Sequence, residues 1–524
     1  MIHNIKDWNV EDFVFWKTTG RKIAIRNLLI SIPCLLLAFA VWIMWSIIIV
    51  QMQNLGFVFH PDPSSNKALF YTLPAIAGLA GATFRIPHSF LIAVGGGRNV
   101  IFIATSLLLI PTVGAGVALQ NIHTPYIVFA ILAALSGFGG GNFASSMSNI
   151  SFFFPKNQQG TALGLNAGLG NLGVSVMQVL LPLTMGFALF GTLGGEGVFL
   201  PQTTGSKVQG SLVYIQNCGW TWVPLLVLFA GAAFFGMNNV ATSSSRLGSM
   251  FTSICKILFL IVLGALATAI GLILLLKFNW NMWLVLPLTV FLTVMLMKYL
   301  SPGELKSNLH KQFEIFHSKH NWIMTIIYTM TFGSFIGYSA AFPKLIQDIF
   351  GTLPDGSLNP NAPNPFAYAW LGPLVGSLVR PVGGWLSDKI HSGSKVTQWT
   401  TVAMIMAAFG VAFCIIQAKQ AALPESYFVP FLILFLILFV TTGIGNGSTF
   451  RSIPYIFEKH QAGPVLGWTS AIAAYGAFII PNVFGAQIKM GHPEYALYGF
   501  AIYYFICLVL NWWYYDRKNA EVRC

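Results

Sequence analysis

Long apolar runs follow one another almost without pause along this 524-residue chain, and they fix the solvent it folds in. Fourteen can be marked, at 27–51, 68–94, 99–119, 126–154, 160–191, 221–241, 250–276, 279–299, 322–349, 366–388, 397–418, 427–457, 463–488 and 494–515. A helix needs about 20 apolar residues to cross the hydrocarbon of a bilayer, and most of these runs supply them. In lipid every backbone polar group must be satisfied within the chain, so runs of this length cross as helices. Charged residues are 8% of the sequence, against about 25% in a soluble domain. The sequence therefore specifies an all-α polytopic membrane protein.

Charge gives the orientation. With the N-terminus placed in the cytoplasm and sides alternating through fourteen spans, 19 Lys and Arg gather on the cytoplasmic side and six on the other, Lys67, Lys207, Lys277, Lys344, Lys419 and Lys489. Arg85, Arg380 and Arg451 remain inside spans. This bias follows the positive-inside rule, with both termini cytoplasmic. The formal charge of +13 is thus mostly topology, and no extramembrane domain is left to bind nucleic acid. The location expected is the cytoplasmic (inner) cell membrane.

Other function classes are excluded by what the sequence lacks. The polar first 26 residues and the long run after them do not form a cleavable signal peptide. The six cysteines are scattered, with no CxxC and no metal-ligand spacing, so neither metal nor cofactor is expected. There is no HExxH, no paired carboxylate set and no Ser–His–Asp arrangement, which argues against an enzyme.

Two residues stand against the apolar background. Arg85 lies in AIAGLAGATFRIPHSFLIAV and Arg380 in WLGPLVGSLVRPVGGWLSDK. A guanidinium at the centre of a bilayer helix costs about 2.5–3.5 kcal/mol on the insertion scale. The two arginines are 295 residues apart, and the spacing is not isolated. Gly137, Gly139, Gly141 and Ser146 match Gly443, Gly445, Gly447 and Ser452 at an offset of 306. Gly160, Leu163, Gly164 and Gly173 match Gly463, Leu466, Gly467 and Gly476 at 303. Similar offsets over several helices imply two duplicated halves in parallel orientation. Two matched arginines facing a shared axis suit a small anion held between them.

The division expected is a cytoplasmic N-terminal segment (1–26), a six-helix bundle (27–241), an extra transmembrane hairpin (250–299), a cytoplasmic linker (300–321), a second six-helix bundle (322–515) and a tail (516–524). The extra pair holds no polar constellation and is expected at the lipid-facing periphery. Glycines spaced by three and four, among them Gly164, Gly168 and, in the second half, Gly467, suggest closely packed faces that allow rocking.

GFGGGNFASSMSNISFFFPKNQQGTALGLNAGLGNLGVSVMQ (137–178) strongly resembles the signature region of the nitrate/nitrite porters, a branch of the major facilitator superfamily. GIGNGSTFRSIPYIF (443–457), GPVLGWTSAIAAYGAFIIPNVFG (463–485) and GSFIGYSAAFPKL (333–345) are similar to it in the second half, and GGWLSDK (383–389) resembles the superfamily's loop motif. The extra central pair departs from the family's twelve helices. The resemblance implies nitrate and nitrite as substrates, alternating access, and a monomer in the lipid bilayer as the working unit. It also implies that Arg85 and Arg380 bind the substrate, that Asn171 and Tyr328 hydrogen-bond it, and that Phe143 and Phe332 sandwich it. Asp388 is expected in a conformational latch. For Arg451, snorkelling to the interface is the favoured reading and a gate or salt bridge the other.

Proton coupling usually needs an Asp, Glu or His within the membrane. Asp388 and Glu458 fall at cytoplasmic ends, the other acids read as loop residues, and His88 is the near-span candidate. This favours nitrate/nitrite exchange, with nitrate (or nitrite)–proton symport as the alternative.

Overall fold

The computed structural model describes residues 4–5, 7–203, 208–240, 249–457 and 459–524. Among these, thirteen helices are long and apolar enough to cross a membrane, and the protein is a multi-pass membrane protein. Glu458, Lys6, Lys207 and Arg246, all used in the charge arguments above, lie outside the described residues.

The first six spans run through Arg21–Ile43 with Trp45–Asn54, Pro63–Gly95, Gly97–Leu107 with Leu109–Ala118, Tyr126–Ser136 with Phe138–Phe153, Lys156–Thr184, and Asn217–Trp220 with Trp222–Gly236. Met250–Leu276 and Met282–Leu300 are the seventh and eighth. The ninth joins Lys319–Tyr328 to Ser334–Phe350 through a π turn, Thr329–Gly333. Gly393–Gln420, Phe428–Ile456, Lys459–Ala473 with Gly476–Lys489, and Glu494–Asn511 are the eleventh to fourteenth.

The tenth span is the expected segment that does not count among the thirteen. It is present, but in pieces: Pro365–Tyr368, Leu371–Leu378 and Arg380–Lys389. The cause is local. Pro381 offers no N–H and its ring collides with the carbonyl four residues back, so the helix breaks at Val379 and restarts at Arg380. Arg380, Asp388 and Lys389 then lower the apolarity of what remains.

The second span shows how ends are set. Asp62 caps it, accepting hydrogen bonds from the Ser65 N–H and the Ser64 hydroxyl at 2.8 Å each. Pro63 opens the helix, where its missing N–H costs nothing. Gly96, at φ +80°, closes it.

Packing repeats between the halves. A Cβ on Gly137 would strike Ala80 and Gly81 of the second span, and one on Gly443 would strike Gly376 of the tenth. Gly141 likewise lies on the His88 ring, and Gly447 on the Arg380 carbonyl and the backbone of Gly384 and Gly383 beyond it. Gly81 to Gly376 and His88 to Gly383 are both the 295-residue offset of the arginines. Gly173 lies on the Leu36 carbonyl and Gly476 on the Gly333 carbonyl.

The seventh and eighth spans lie against the outside of the second. Gly264 meets Phe84 and Pro87, and Ile257 covers Gly95, while Val262, Leu266, Ile270, Ile273 and Phe291 point away, exposed. Both termini dock at one end of the molecule, here the proximal end. Trp8 donates to the Phe152 carbonyl at 2.9 Å, and the Cys524 carbonyl accepts from Ser392 at 2.9 Å. Between the halves, Gly303–Gln312 and Phe313–His317 run across this end, with Phe313 against Phe90 and Phe316 against Trp468.

Candidate functional site

The arginines meet at the seam between the halves. Arg85 is fully buried on the second span. Its Nε donates to the Gly140 carbonyl at 2.9 Å and its Nη1 to the Ser470 carbonyl, across the seam, at 3.1 Å. Its Nη2 has no partner. Arg380, 7% exposed in the first turn after the helix break, has no partner on any of its three nitrogens. Among the described residues no carboxylate pairs with either.

Aromatic rings frame both guanidiniums. The Arg85 Cζ lies 4.8 Å from the Phe143 ring centroid, 5.2 Å from Phe332 and 5.4 Å from Trp42. The Arg380 Cζ lies 5.2 Å from Phe332 and 5.6 Å from Phe335. Phe143 and Phe332 are near-parallel, 6.1 Å apart at 23°. Tyr328 stacks on Phe332 at 5.8 Å and 10°, and its buried hydroxyl has no partner. The π turn carries Phe332; such bulges re-aim a side chain inside a helix and are frequent at functional sites. Asn171, on the fifth span, is fully buried with neither amide atom paired.

The chemistry of this set is one-sided. Arg85 Nη2, the Arg380 nitrogens and Asn171 Nδ2 are donors without acceptors, in a place where an unpaired charge costs several kcal/mol. Ring faces offset part of this, up to about 2 kcal/mol for a desolvated pair. What the cluster lacks is a compact acceptor of negative charge, planar enough to meet a guanidinium fork with two parallel hydrogen bonds.

One face of the fifth span shows how the site communicates with the ends. Gly164, Gly168, Asn171, Ser175 and Gln178 follow helical spacing. At the distal end Ser175 donates to the Trp370 carbonyl at 2.6 Å and Gln178 to the Ser339 carbonyl at 3.1 Å, both across the seam. At the proximal end a Cβ on Gly164, Gly168 or, on the tenth span, Gly384 would meet nothing within 4 Å. The two glycines of the fifth span are therefore not the tight packing positions the sequence suggested. They border a gap, and the close packing falls on Gly170 and Gly173 instead. Gly467 approaches Ser89, whose hydroxyl would lie 3.3 Å from an added Cβ.

Arg451 does not simply snorkel. Its Nε pairs with Asp388 Oδ1 at 3.1 Å, and its Cζ lies 3.9 Å from the Tyr455 ring, so its head is held by a partner rather than by water alone. His88 is buried one turn from Arg85 and its Nδ1 shares a hydrogen bond with Ser145 at 2.9 Å. Asn166 donates to Ser146 at 2.8 Å, a helix–helix bond. The reading that all remaining acids lie in loops is overturned by Asp348. It sits within Ser334–Phe350, its side chain 2% exposed, in an ion pair with Lys344. Lys344 in turn is buried in that helix, not in an outer loop. Their spacing of four residues was the signal that could have revealed the pair. Trp42 and Phe335 also went unnoticed, because an aromatic in an apolar run carries no mark of its neighbours.

No family model matches the chain. It is 37% identical over 523 residues, covering 99% of this chain and 98% of the relative, to the probable nitrate/nitrite antiporter NarK2 of Thermus thermophilus. The chain belongs to the nitrate/nitrite porter family of the major facilitator superfamily. A second relative of this porter, the nitrate/nitrite transporter NarU of Escherichia coli (strain K12), is 35% identical over 537 residues, 98% of this chain and 96% of that one. Among solved structures the porter is similar to a partially occluded inward open conformation of the xylose transporter XylE from E. coli. That match has TM-score 0.56 and 12% identity, and covers 94% of this chain and 99% of that one; it speaks for the fold alone.

Proposed function

We propose that the protein carries nitrate and nitrite across the cytoplasmic membrane by alternating access, exchanging one for the other, with the anion held between Arg85 and Arg380. The observation that carries this reading is the pair of buried guanidiniums with unpartnered nitrogens and no carboxylate beside them. Nitrate and nitrite are flat monoanions whose oxygens match the guanidinium fork, which lysine's point charge does not. Phe143 and Phe332 cover the flat faces, and Tyr328 and Asn171 donate at the edge.

Exchange follows from charge. Two guanidiniums around one monoanion leave about one excess positive charge. Emptied, they face each other unshielded in a low-dielectric seam, where repulsion is strong. Reorientation without cargo is then disfavoured, and the halves rock around a loaded site. The gap at Gly164, Gly168 and Gly384, set against the closed distal end, corresponds to a state turned toward the proximal side. The charge bias assigns that side to the cytoplasm, with both termini there. The monomer suffices, since each half supplies one arginine.

Proteoliposomes loaded with nitrite and offered external nitrate test this. Uptake should need the internal anion and be indifferent to a proton gradient. Uptake into empty vesicles that tracks the proton gradient would establish symport instead and turn attention to His88.

A further inference from the structure

A second cation is buried at the seam, far from the arginines. Lys344 is fully buried on the ninth span, and Asp348, one turn on, holds its Nζ through Oδ1. Across the seam the Lys344 Nζ lies 5.4 Å from the ring of Tyr71 on the second span. Lys67, half-buried, lies one turn before Tyr71 and on the same face of the second span. Between Lys344 and Asp348, Gln347 donates to Asn54 Oδ1 at 2.8 Å on the first span. The cluster thus spans three helices of both halves, at the distal end that is closed here.

This burial needs a reason. A Lys–Asp pair four apart on one helix is satisfied at a surface for a few tenths of a kcal/mol; burying it costs several kcal/mol per ion. Tyr71 reaches across the seam to hydrogen-bond with Asp348, so the pair is held from both halves. Lys344 and Asp348 ride on the same helix, so parting the halves takes only Tyr71 away from the pair; opening the distal end hydrates it and frees the ammonium to exchange Asp348 for another anion. With two lysines and one carboxylate it carries one net positive charge. Twelve residues separate Lys344 from Phe332, about 18 Å of helix.

We propose that Lys344, with Lys67, forms an anion-capture position at the distal mouth. When that end opens, the ammonium receives the small oxyanion on its way to the arginines; when it closes, Asp348 takes the anion's place. Asp348 is then a built-in substitute for the substrate, which leaves no lone ammonium in the closed seam. The inference rests on the anion-transport reading above and names an additional position on the same route.

Sided exchange in oriented proteoliposomes tests it, with nitrate offered at either face and nitrite at the other. Lys344→Gln should raise KM for nitrate at the distal face about fivefold to tenfold and leave the proximal KM unchanged. Asp348→Asn should lower the distal KM. High salt should weaken distal uptake by the wild type more than by Lys344→Gln, since long-range attraction is screened. If Lys344→Gln fails to fold because Asp348 is left unpaired, Lys344→Gln with Asp348→Asn removes both charges and should show the same one-sided rise. Equal changes at both faces, or none, overturn the proposal while leaving exchange intact. A wild type that exchanges neither anion overturns both.

Discussion

Arg85 and Arg380 share one ring: each guanidinium carbon lies 5.2 Å from the centroid of Phe332. The two carbons are therefore no more than about 10 Å apart. A flat anion taking two N–H···O bonds from each fork would hold them about 8 Å apart, from ordinary hydrogen-bond lengths. A bridging anion fits within that limit, and Phe332 flanks both guanidiniums from the π turn Thr329–Gly333 of the ninth span.

Replacing either arginine by lysine keeps the charge and removes the fork. Arg85→Lys and Arg380→Lys should each weaken nitrate binding by about 2 kcal/mol, or about thirtyfold, read as a rise in the half-saturating nitrate concentration for exchange. Unchanged half-saturation in both would mean that charge alone matters.

Tyr328→Phe removes one unpartnered hydroxyl and nothing from the packing. A loss of about 1 kcal/mol is expected, a roughly fivefold rise in KM with the folded state unaltered. Asn171→Asp is the harsher change, because it sets a carboxylate where the anion's oxygens would lie. It should abolish uptake while thermal stability is kept or raised, since the arginines gain a partner.

Two glycines on one helix should respond oppositely to the same substitution. Gly173→Ala drives a methyl into the Leu36 carbonyl and should cost about 1–3 kcal/mol, seen as a lower Tm in detergent. Gly164→Ala meets open space and should leave Tm within a degree or so of wild type.

Asp62 sets an acid limit. Hydrogen bonds from the side chains of Ser65 and Ser64 hold its carboxyl down at about 2, below the ordinary 3.8. The folded value is the depressed one. Its contribution is therefore complete above the unfolded value and is lost as pH falls from about 4 through 2. Asp62→Asn should flatten the fall in Tm over that window; an unchanged slope would show that the cap does not matter.

Much of this was legible in the residues, because lipid leaves few options. Apolar length alone marks the spans, and the positions of Gly137, Gly141 and Gly173 reappear as duplicated contacts in the second half. The arginines were visible for the same reason, as charges in the wrong solvent. The helix break before Arg380 was not read, although Pro381 marks it. The direction of each glycine was hidden too, since spacing does not say whether a small face meets a neighbour or a gap. Lys344 and Asp348 escaped because a charge near a helix end looks like a loop residue until its burial is known.

The central claim is that both arginines hold one anion. Titrating nitrate into the purified protein by calorimetry, beside Arg85→Lys, Arg380→Lys and the double variant, tests it most directly. One nitrate per chain should bind to the wild type, each single variant should lose most of the affinity, and the double should lose little more than either alone. Wild-type affinity and stoichiometry retained in Arg380→Lys would contradict the shared site.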